Sequence, residues 1–149
     1  MKPAHGFTLL ELTVVLVIMV LALGLVGLNI NSGQSTTALK AAVRSLTAQL
    51  RHARTLAMLE RRETTLTLDL EHNEYWLDDG SGAHALDAAI GLTLDTAQQE
   101  QYSASQAGFR FFPDGSASGG RITLNNDSGV WHIDISWLTG RIAARMPHA

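Results

Sequence analysis

The chain has 149 residues, 46% of them hydrophobic, a formal net charge of −3 and no cysteine. The missing thiols exclude disulfides, thiolate metal sites and cysteine nucleophiles, and the acid excess argues against a strongly basic nucleic-acid binder. Much of the apolarity lies in one N-terminal run, and the roughly 120 residues beyond it suffice for one modest core.

That run, Phe7 to Leu28, is nearly unbroken and holds a single carboxylate, Glu11. As a helix at about 1.5 Å per residue it spans roughly 33 Å, enough to cross a bilayer. A carboxylate within such a run asks for a cationic partner, because an ionised group in hydrocarbon is costly. A cut between Gly6 and Phe7 supplies one, a free amine on Phe7 one helical turn from Glu11. Between chains staggered side by side the same pair sets an axial register, as single polar groups do in other apolar assemblies. A secretory signal has its apolar core before the cleavage site, whereas here the candidate cut precedes the core. An uncleaved anchor accounts for the length and leaves Glu11 unexplained.

Gly6-Phe7-Thr8-Leu9-Leu10-Glu11 followed by an apolar helix resembles the class III signal of type IV pilins and type II secretion pseudopilins. The resemblance implies a prepilin leader over 1–6, cleavage after Gly6 by a prepilin peptidase, N-methylation of Phe7, and an assembly role for Glu11. It also implies a transmembrane and assembly helix over 7–30. Lys2 and the amine of Met1 are the firm positive charges before the run, so the positive-inside rule leaves this short end in the cytoplasm. Lys40, Arg44 and Arg51 beyond the run pull mildly the other way, and the resemblance decides the orientation: single-pass in a bacterial inner membrane, head in the periplasm.

Gly24, Gly27, Asn29, Asn31 and Gly33 cluster where the run ends. Each glycine weakens a helix by about 1 kcal/mol relative to Ala. Many pilins carry a helix-breaking proline in this neighbourhood, and this chain has none there.

Ser35 to Arg62 reads as the amphipathic, soluble half of the stalk helix, within a segment bounded at 31–62. Leu39, Val43, Leu46, Leu50, Ala53 and Ala57 recur at spacings of four and three and form one apolar face. Lys40, Arg44, Arg51, Arg54 and Arg61 fall on another stripe. The pattern predicts packing against a sheet, since a dedicated coiled coil needs a longer run.

Residues 63–149 read as a β-rich head that packs with 35–62 as one domain. Thr64 to Leu70 alternates, with Leu66, Leu68 and Leu70 on one face. Glu71-His72-Asn73-Glu74 is a turn and Tyr75-Trp76-Leu77 begins a return strand. Asp78 to Gly82 is a loop, Ala89 to Leu94 a weaker strand, and Thr96 to Ala107 a polar loop. Phe109 to Phe112, Arg121 to Leu124 and Val130 to Trp137 are the stronger later strands. Asn125 to Gly129 makes a hairpin, and Gly140 breaks the chain before a short strand from Arg141 to Ala143.

The segment Phe111-Phe112-Pro113-Asp114-Gly115-Ser116-Ala117-Ser118-Gly119-Gly120, with Trp137-Leu138-Thr139-Gly140-Arg141, resembles the C-terminal domain of H-type minor pseudopilins (the GspH group) and their FimT relatives. The implied fold is α+β and pilin-like: one long N-terminal helix packed on antiparallel sheets. In physical terms Pro113 and Asp114 suit the first half of a turn and Gly115 supplies a permissive backbone. A phosphate loop would lead into a helix, whereas Arg121 to Leu124 reads as strand.

The residues present no catalytic constellation. The six histidines are scattered without metal-ligand spacing. Asp78-Asp79-Gly80 and Asn125-Asn126-Asp127 lack the alternating ligands of a calcium loop and read as solvated turns. No G-x-S-x-G occurs. The expectation is a non-enzyme with no catalytic, cofactor or metal residues and no cofactor.

Charge is uneven. Ser35 to Arg62 holds six Lys or Arg against one Glu, +5, and Glu63 to Ala149 holds four Arg against twelve Asp or Glu, −8. Two roles follow from the resemblance. The first is a minor pseudopilin of the type II secretion system, at or near the pseudopilus tip, supporting filament assembly and export of folded proteins across the outer membrane. Its partners would be other major and minor pseudopilins, the prepilin peptidase and the inner-membrane secretion platform, with membrane insertion before assembly. The second is a minor type IV pilin of the FimT kind, involved in pilus assembly or DNA uptake through a C-terminal arginine motif. Arg141 and Arg145 match that motif loosely, and the acidic head argues against nucleic acid as a partner.

Overall fold

The structure, a computed structural model, describes residues 8–96, 103 and 105–147, with side chains left out for 23–34. It divides into two units, Met1–Gln34 and Ser35–Ala149. A long helix, α1, runs from Leu9 to Glu60. Its backbone stays helical through Gly24, Gly27 and Gly33, so the local cost of those glycines does not break the helix.

In the first unit the apolar side chains from Leu9 to Leu21 are exposed, Leu9 by 84% and Leu21 by 64%. Among the described residues no helix is long and apolar enough to cross a membrane. Phe7 lies outside the described residues, and the side chains of residues 23–28 are likewise undescribed.

The second unit is α+β. Among the described residues eight strands follow the helix: β1 (Thr64–Asp69), β2 (Glu74–Leu77), β3 (Ala83–Ala85), β4 (Gly91–Asp95), β5 (Gln106–Phe111), β6 (Gly120–Asn126), β7 (Gly129–Ile135) and β8 (Ile142–Arg145). They form two four-stranded sheets, ordered β3-β2-β1-β5 and β4-β6-β7-β8. Every pairing is antiparallel.

The helical face predicted to be core is buried. Leu46, Leu50, Ala53 and Ala57 are 0% exposed, Leu39 2% and Val43 3%. One cluster joins that face to Leu66, Leu68 and Phe109 of the first sheet and to Ile122, Leu124 and Ile133 of the second. Burying a Leu, Ile or Phe side chain stabilises by about 1.5–3 kcal/mol, so this face holds the two sheets on one core. Polar contacts fix its register on the first sheet: Ser45 Oγ and Tyr75 Oη lie 2.8 Å apart, and Gln49 Nε2 and His84 Nε2 3.3 Å apart.

The helix ends at Glu60, not Arg62, where Arg61 turns left-handed at φ 53°. That is the usual stop for an orphaned last turn, here without a glycine. The first strand stops at Asp69, and Leu70 is half-buried outside it. Asp69 Oδ1 accepts the amide N–H groups of Glu71 at 2.8 Å and His72 at 3.0 Å, and these bonds turn the chain away from the ladder.

Other boundaries shift for similar reasons. The weak strand begins at Gly91, because Ile90 N–H bonds back to the Asp87 carbonyl in a turn. The strand expected from Phe109 starts at Gln106, inside the span read as a loop. Residues 97–102 of that span lie outside the described residues. β7 stops at Ile135, which leaves Trp137 in the following turn and 68% exposed. β8 runs Ile142–Arg145, beyond the expected end at Ala143. β3 has no counterpart in the sequence reading. Three residues cannot show a period, and β3 exists through its pairing with β2 and the stacking of His84 on Tyr75 at 5.3 Å.

Candidate functional site

Gly6 and Phe7, the expected cleavage and methylation positions, lie outside the described residues. Thr8 caps the helix. Its Oγ1 accepts the Glu11 amide N–H at 3.2 Å, and its carbonyl accepts the Leu12 N–H at 3.2 Å. Thr8-Leu9-Leu10-Glu11 therefore has the spacing of a capping box, with Glu11 at the third helical position. A carboxylate there also lies favourably in the positive end of the helix dipole. Glu11 is exposed within an exposed apolar surface.

In the second unit Asp69, Asp79 and Asp114 are engaged in turns. Asp79 Oδ1 accepts the Ser81 N–H at 2.8 Å, and Asp114 Oδ1 accepts the Ser116 N–H at 2.9 Å and hydroxyl at 2.6 Å. The Asp79 and Asp114 carboxyls are held below the usual range, chiefly by these serine hydrogen bonds. Asp69 is buried and also accepts Gln106 Nε2 at 2.7 Å on its second oxygen. Its carboxyl is held far below the usual range, first by the His72 amide and then by Gln106. No group of three or more His, Asp or Glu among the described residues could hold a metal ion.

The Pro-Asp-Gly segment forms a turn in which Gly115 N–H bonds to the Phe112 carbonyl at 2.9 Å. It leads into β6, a strand, as the structural reading of this glycine-rich loop requires. The second distinctive segment closes a turn through Gly140 N–H to the Ser136 carbonyl at 2.8 Å. Both turns meet one side chain of the helix. Arg54 donates through Nε to the Gly115 carbonyl at 3.0 Å and through Nη2 to the Thr139 carbonyl at 3.0 Å. Helical spacing places Arg54 with the other cations and cannot reveal this clip. The signal available in the sequence was the recurrence of glycine in two turns, which one planar fork can bridge.

Of the two C-terminal arginines, Arg145 Nε lies 2.7 Å from Asp134 Oδ2, while Arg121 Nε takes the other oxygen at 2.6 Å. Arg145 is thus engaged with Arg121 on a single carboxylate, and Arg141 is exposed.

Residues 42–140 match the type II transport protein GspH family, and residues 1–27 match the prokaryotic N-terminal methylation motif. The chain belongs to the GspH family. A type II secretion system protein H of Xanthomonas campestris pv. campestris is 31% identical over 141 residues, which is 95% of this chain and 83% of that protein. The fold resembles the minor pseudopilin EpsH of Vibrio cholerae, with a TM-score of 0.59 and 11% identity over 74% of this chain and 98% of that one. It also resembles the type IV minor pilin FimU of Pseudomonas aeruginosa, with a TM-score of 0.57 and 19% identity over 77% and 96%. At these identities the two structures show the fold alone: pilin-like α+β.

In this GspH-family head Gly119 and Gly120 are steric requirements. A Cβ on Gly119 would lie 2.8 Å from Trp137 Cβ, and one on Gly120 would lie 2.6 Å from the Asp95 carbonyl oxygen and 2.8 Å from Phe109 Cε1. The Gly-Gly pair thus marks the place where the approach to β6 passes the β7–β8 turn and the core.

Proposed function

We propose that this protein is a minor pseudopilin of the type II secretion system, a structural subunit that supports pseudopilus assembly and export of folded proteins across the outer membrane. The observation that carries the reading is the presence of both matches in one chain, the methylation motif over 1–27 and the GspH family over 42–140. Its contribution is assembly, without chemistry of its own. A place at or near the filament tip, with other major and minor pseudopilins as neighbours, follows from this reading.

The N-terminal roles belong to the same proposal. A prepilin peptidase cuts between Gly6 and Phe7 and methylates Phe7. Before assembly the run from Phe7 to Leu28 anchors the chain in the inner membrane, with the head in the periplasm. On entry into the filament, the exposed apolar surface from Leu9 to Leu21 is buried against neighbouring helices. Glu11 then receives a neighbour's Phe7 amine in the apolar layer and sets the axial register. Exposure of this surface, with one carboxylate in it, supports the assignment.

The test has two parts. Mass spectrometry of protein from cells containing the peptidase should find a chain beginning at methylated Phe7, and Gly6→Val should block the cut. Glu11→Ala and Glu11→Gln should be cleaved normally, yet fail to co-purify with other pseudopilins and fail to support secretion. Removing one partner of a buried pair costs about 3–5 kcal/mol. An intact N-terminus refutes the processing assignment, and normal assembly of both variants refutes the amine–carboxylate pair.

A further inference from the structure

A groove of about 490 Å³ runs between α1 and the second sheet, lined by Lys40, Arg44, Thr47, Ala48 and Arg51 of the helix and by Trp131 of β7. Successive helical residues are turned by about 100°, so Lys40, Arg44, Thr47 and Arg51 fall within an arc of about 60°. The groove holds three cations and no carboxylate among its lining residues. Among the described residues no ion pair joins Lys40, Arg44 or Arg51 to an acid. Arg62, Arg110, Arg121 and Arg145 by contrast each pair with one.

A second observation points to an occupant. Thr47 is only 6% exposed, and its Oγ1 has no hydrogen-bond partner among the described residues. A buried hydroxyl without a partner is unfavourable in the isolated chain, and rotation of the Thr47 side chain about χ1 would bring it to a ligand oxygen in the groove. Val43 and the partly buried Trp131 add an apolar wall. Three converging cations, one donor hydroxyl and an aromatic wall fit a carboxylate flanked by an apolar side chain. They do not fit a long polyanion, because the rest of the head, Glu63 to Ala149, carries −8 and repels phosphates beyond the groove.

We propose that this groove seats an acidic segment of a neighbouring pseudopilin. An Asp or Glu of the neighbour lies against Lys40, Arg44 and Arg51 and accepts from Thr47, and an adjoining apolar residue packs on Trp131. The proposal rests on the pseudopilin reading above. It gives the basic stripe of the helix a role in choosing the partner, the usual effect of complementary charge at an interface.

The test uses the full-length protein in cells carrying its secretion system, with a photo-crosslinking amino acid at Ala48, an exposed position in the groove, and at Asp127 in the exposed β6–β7 turn as control. The expected result is an adduct from Ala48 to another pseudopilin, mapped by mass spectrometry to a peptide containing Asp or Glu, and none from Asp127. Arg44→Glu with Arg51→Glu should lower the adduct about tenfold or more, and reversing the neighbour's acid to Lys should restore it. Thr47→Val, which keeps the shape and removes the hydroxyl, should lower the adduct while leaving the melting temperature of the free protein equal or higher. The proposal is overturned by an adduct to nucleic acid, an adduct to a peptide without a carboxylate, or a yield indifferent to charge reversal. Absence of any Ala48 adduct, while the wild type still co-purifies with pseudopilins, overturns the groove alone. Failure of the wild type to co-purify overturns the pseudopilin reading beneath it.

Discussion

Arg54 and Gly115 are 61 residues apart in sequence, and the guanidinium Nε of one donates to the carbonyl of the other at 3.0 Å. The same guanidinium holds the Thr139 carbonyl through Nη2 at 3.0 Å. One helical side chain therefore fastens the Pro113–Gly115 turn to the turn that ends at Gly140. A charged donor to a carbonyl is worth more than a neutral one, and the planar fork serves both acceptors in one geometry. Arg54→Ala should destabilise the head by about 1–3 kcal/mol in urea denaturation. Arg54→Lys should recover at most half, since a single ammonium cannot reproduce the fork. A Lys variant equal to wild type would mean that the charge alone matters.

Gly140 completes that junction. It sits at φ 59°, and a Cβ there would collide with the Gly115 carbonyl oxygen and lie 2.7 Å from Arg54 Nε. Gly140→Ala therefore adds a collision to the backbone strain and should cost about 2–4 kcal/mol. Gly80, at φ 83° with nothing within 4 Å of a Cβ, is the matched control, and Gly80→Ala should cost only about 1 kcal/mol. Equal melting temperatures for the two variants would contradict the close packing of the two turns.

A fragment from Ser35 to Ala149 should be soluble and unfold cooperatively, because that unit contains the whole core cluster. Leu46 and Leu50 are 0% exposed at its centre. Leu46→Asp with Leu50→Asp buries two unpaired carboxylates, a cost comparable to the roughly 5–15 kcal/mol by which a domain is stable. Circular dichroism should show an unfolded chain. A soluble double variant with an unchanged melting curve would remove this face from the core.

The Asp69–His72 pair should make stability depend on pH in both directions. The carboxyl of Asp69 is lowered by the His72 amide and Gln106, so its contribution is complete above about pH 4 and is lost as pH falls. The imidazole of His72 is raised by its hydrogen bond to Asp69, so its contribution is complete below about pH 6.5 and is lost as pH rises through the raised value. The gap in melting temperature between wild type and Asp69→Asn should therefore be widest between about pH 4 and 6.5. It should narrow at about pH 8 and shrink steeply toward pH 2. A gap that does not change with pH would assign Asp69 a purely geometric role.

The sequence by itself determined the features that rest on local pattern. The apolar face from Leu39 to Ala57 follows from helical period, and its burial follows from the hydrophobic effect acting on one stripe. The hairpin at Asn125 to Gly129 and the turn at Pro113 to Gly115 follow from residues whose backbone preferences are intrinsic. The Gly6–Glu11 motif with its apolar run was legible for the same reason, as contiguous chemistry, and it pointed to the pilin and pseudopilin signal, while Phe111 to Gly120 and Trp137 to Arg141 pointed to the GspH group.

Other features depend on partners far away in the chain, which only the tertiary structure supplies. β3 is three residues long and exists because Tyr75 pairs and stacks with His84. Leu70 leaves its strand because the Asp69 carboxylate satisfies more donors in a turn than the ladder offers. Arg54 looks like any other cation of the basic stripe until folding places the Gly115 and Thr139 carbonyls before it. Arg145 is matched to Asp134 across β7 and β8, whereas Lys40, Arg44 and Arg51 face a groove without an acid. Charge counts give the sum of these groups, and only their distances distinguish an internal pair from a surface left to meet a partner.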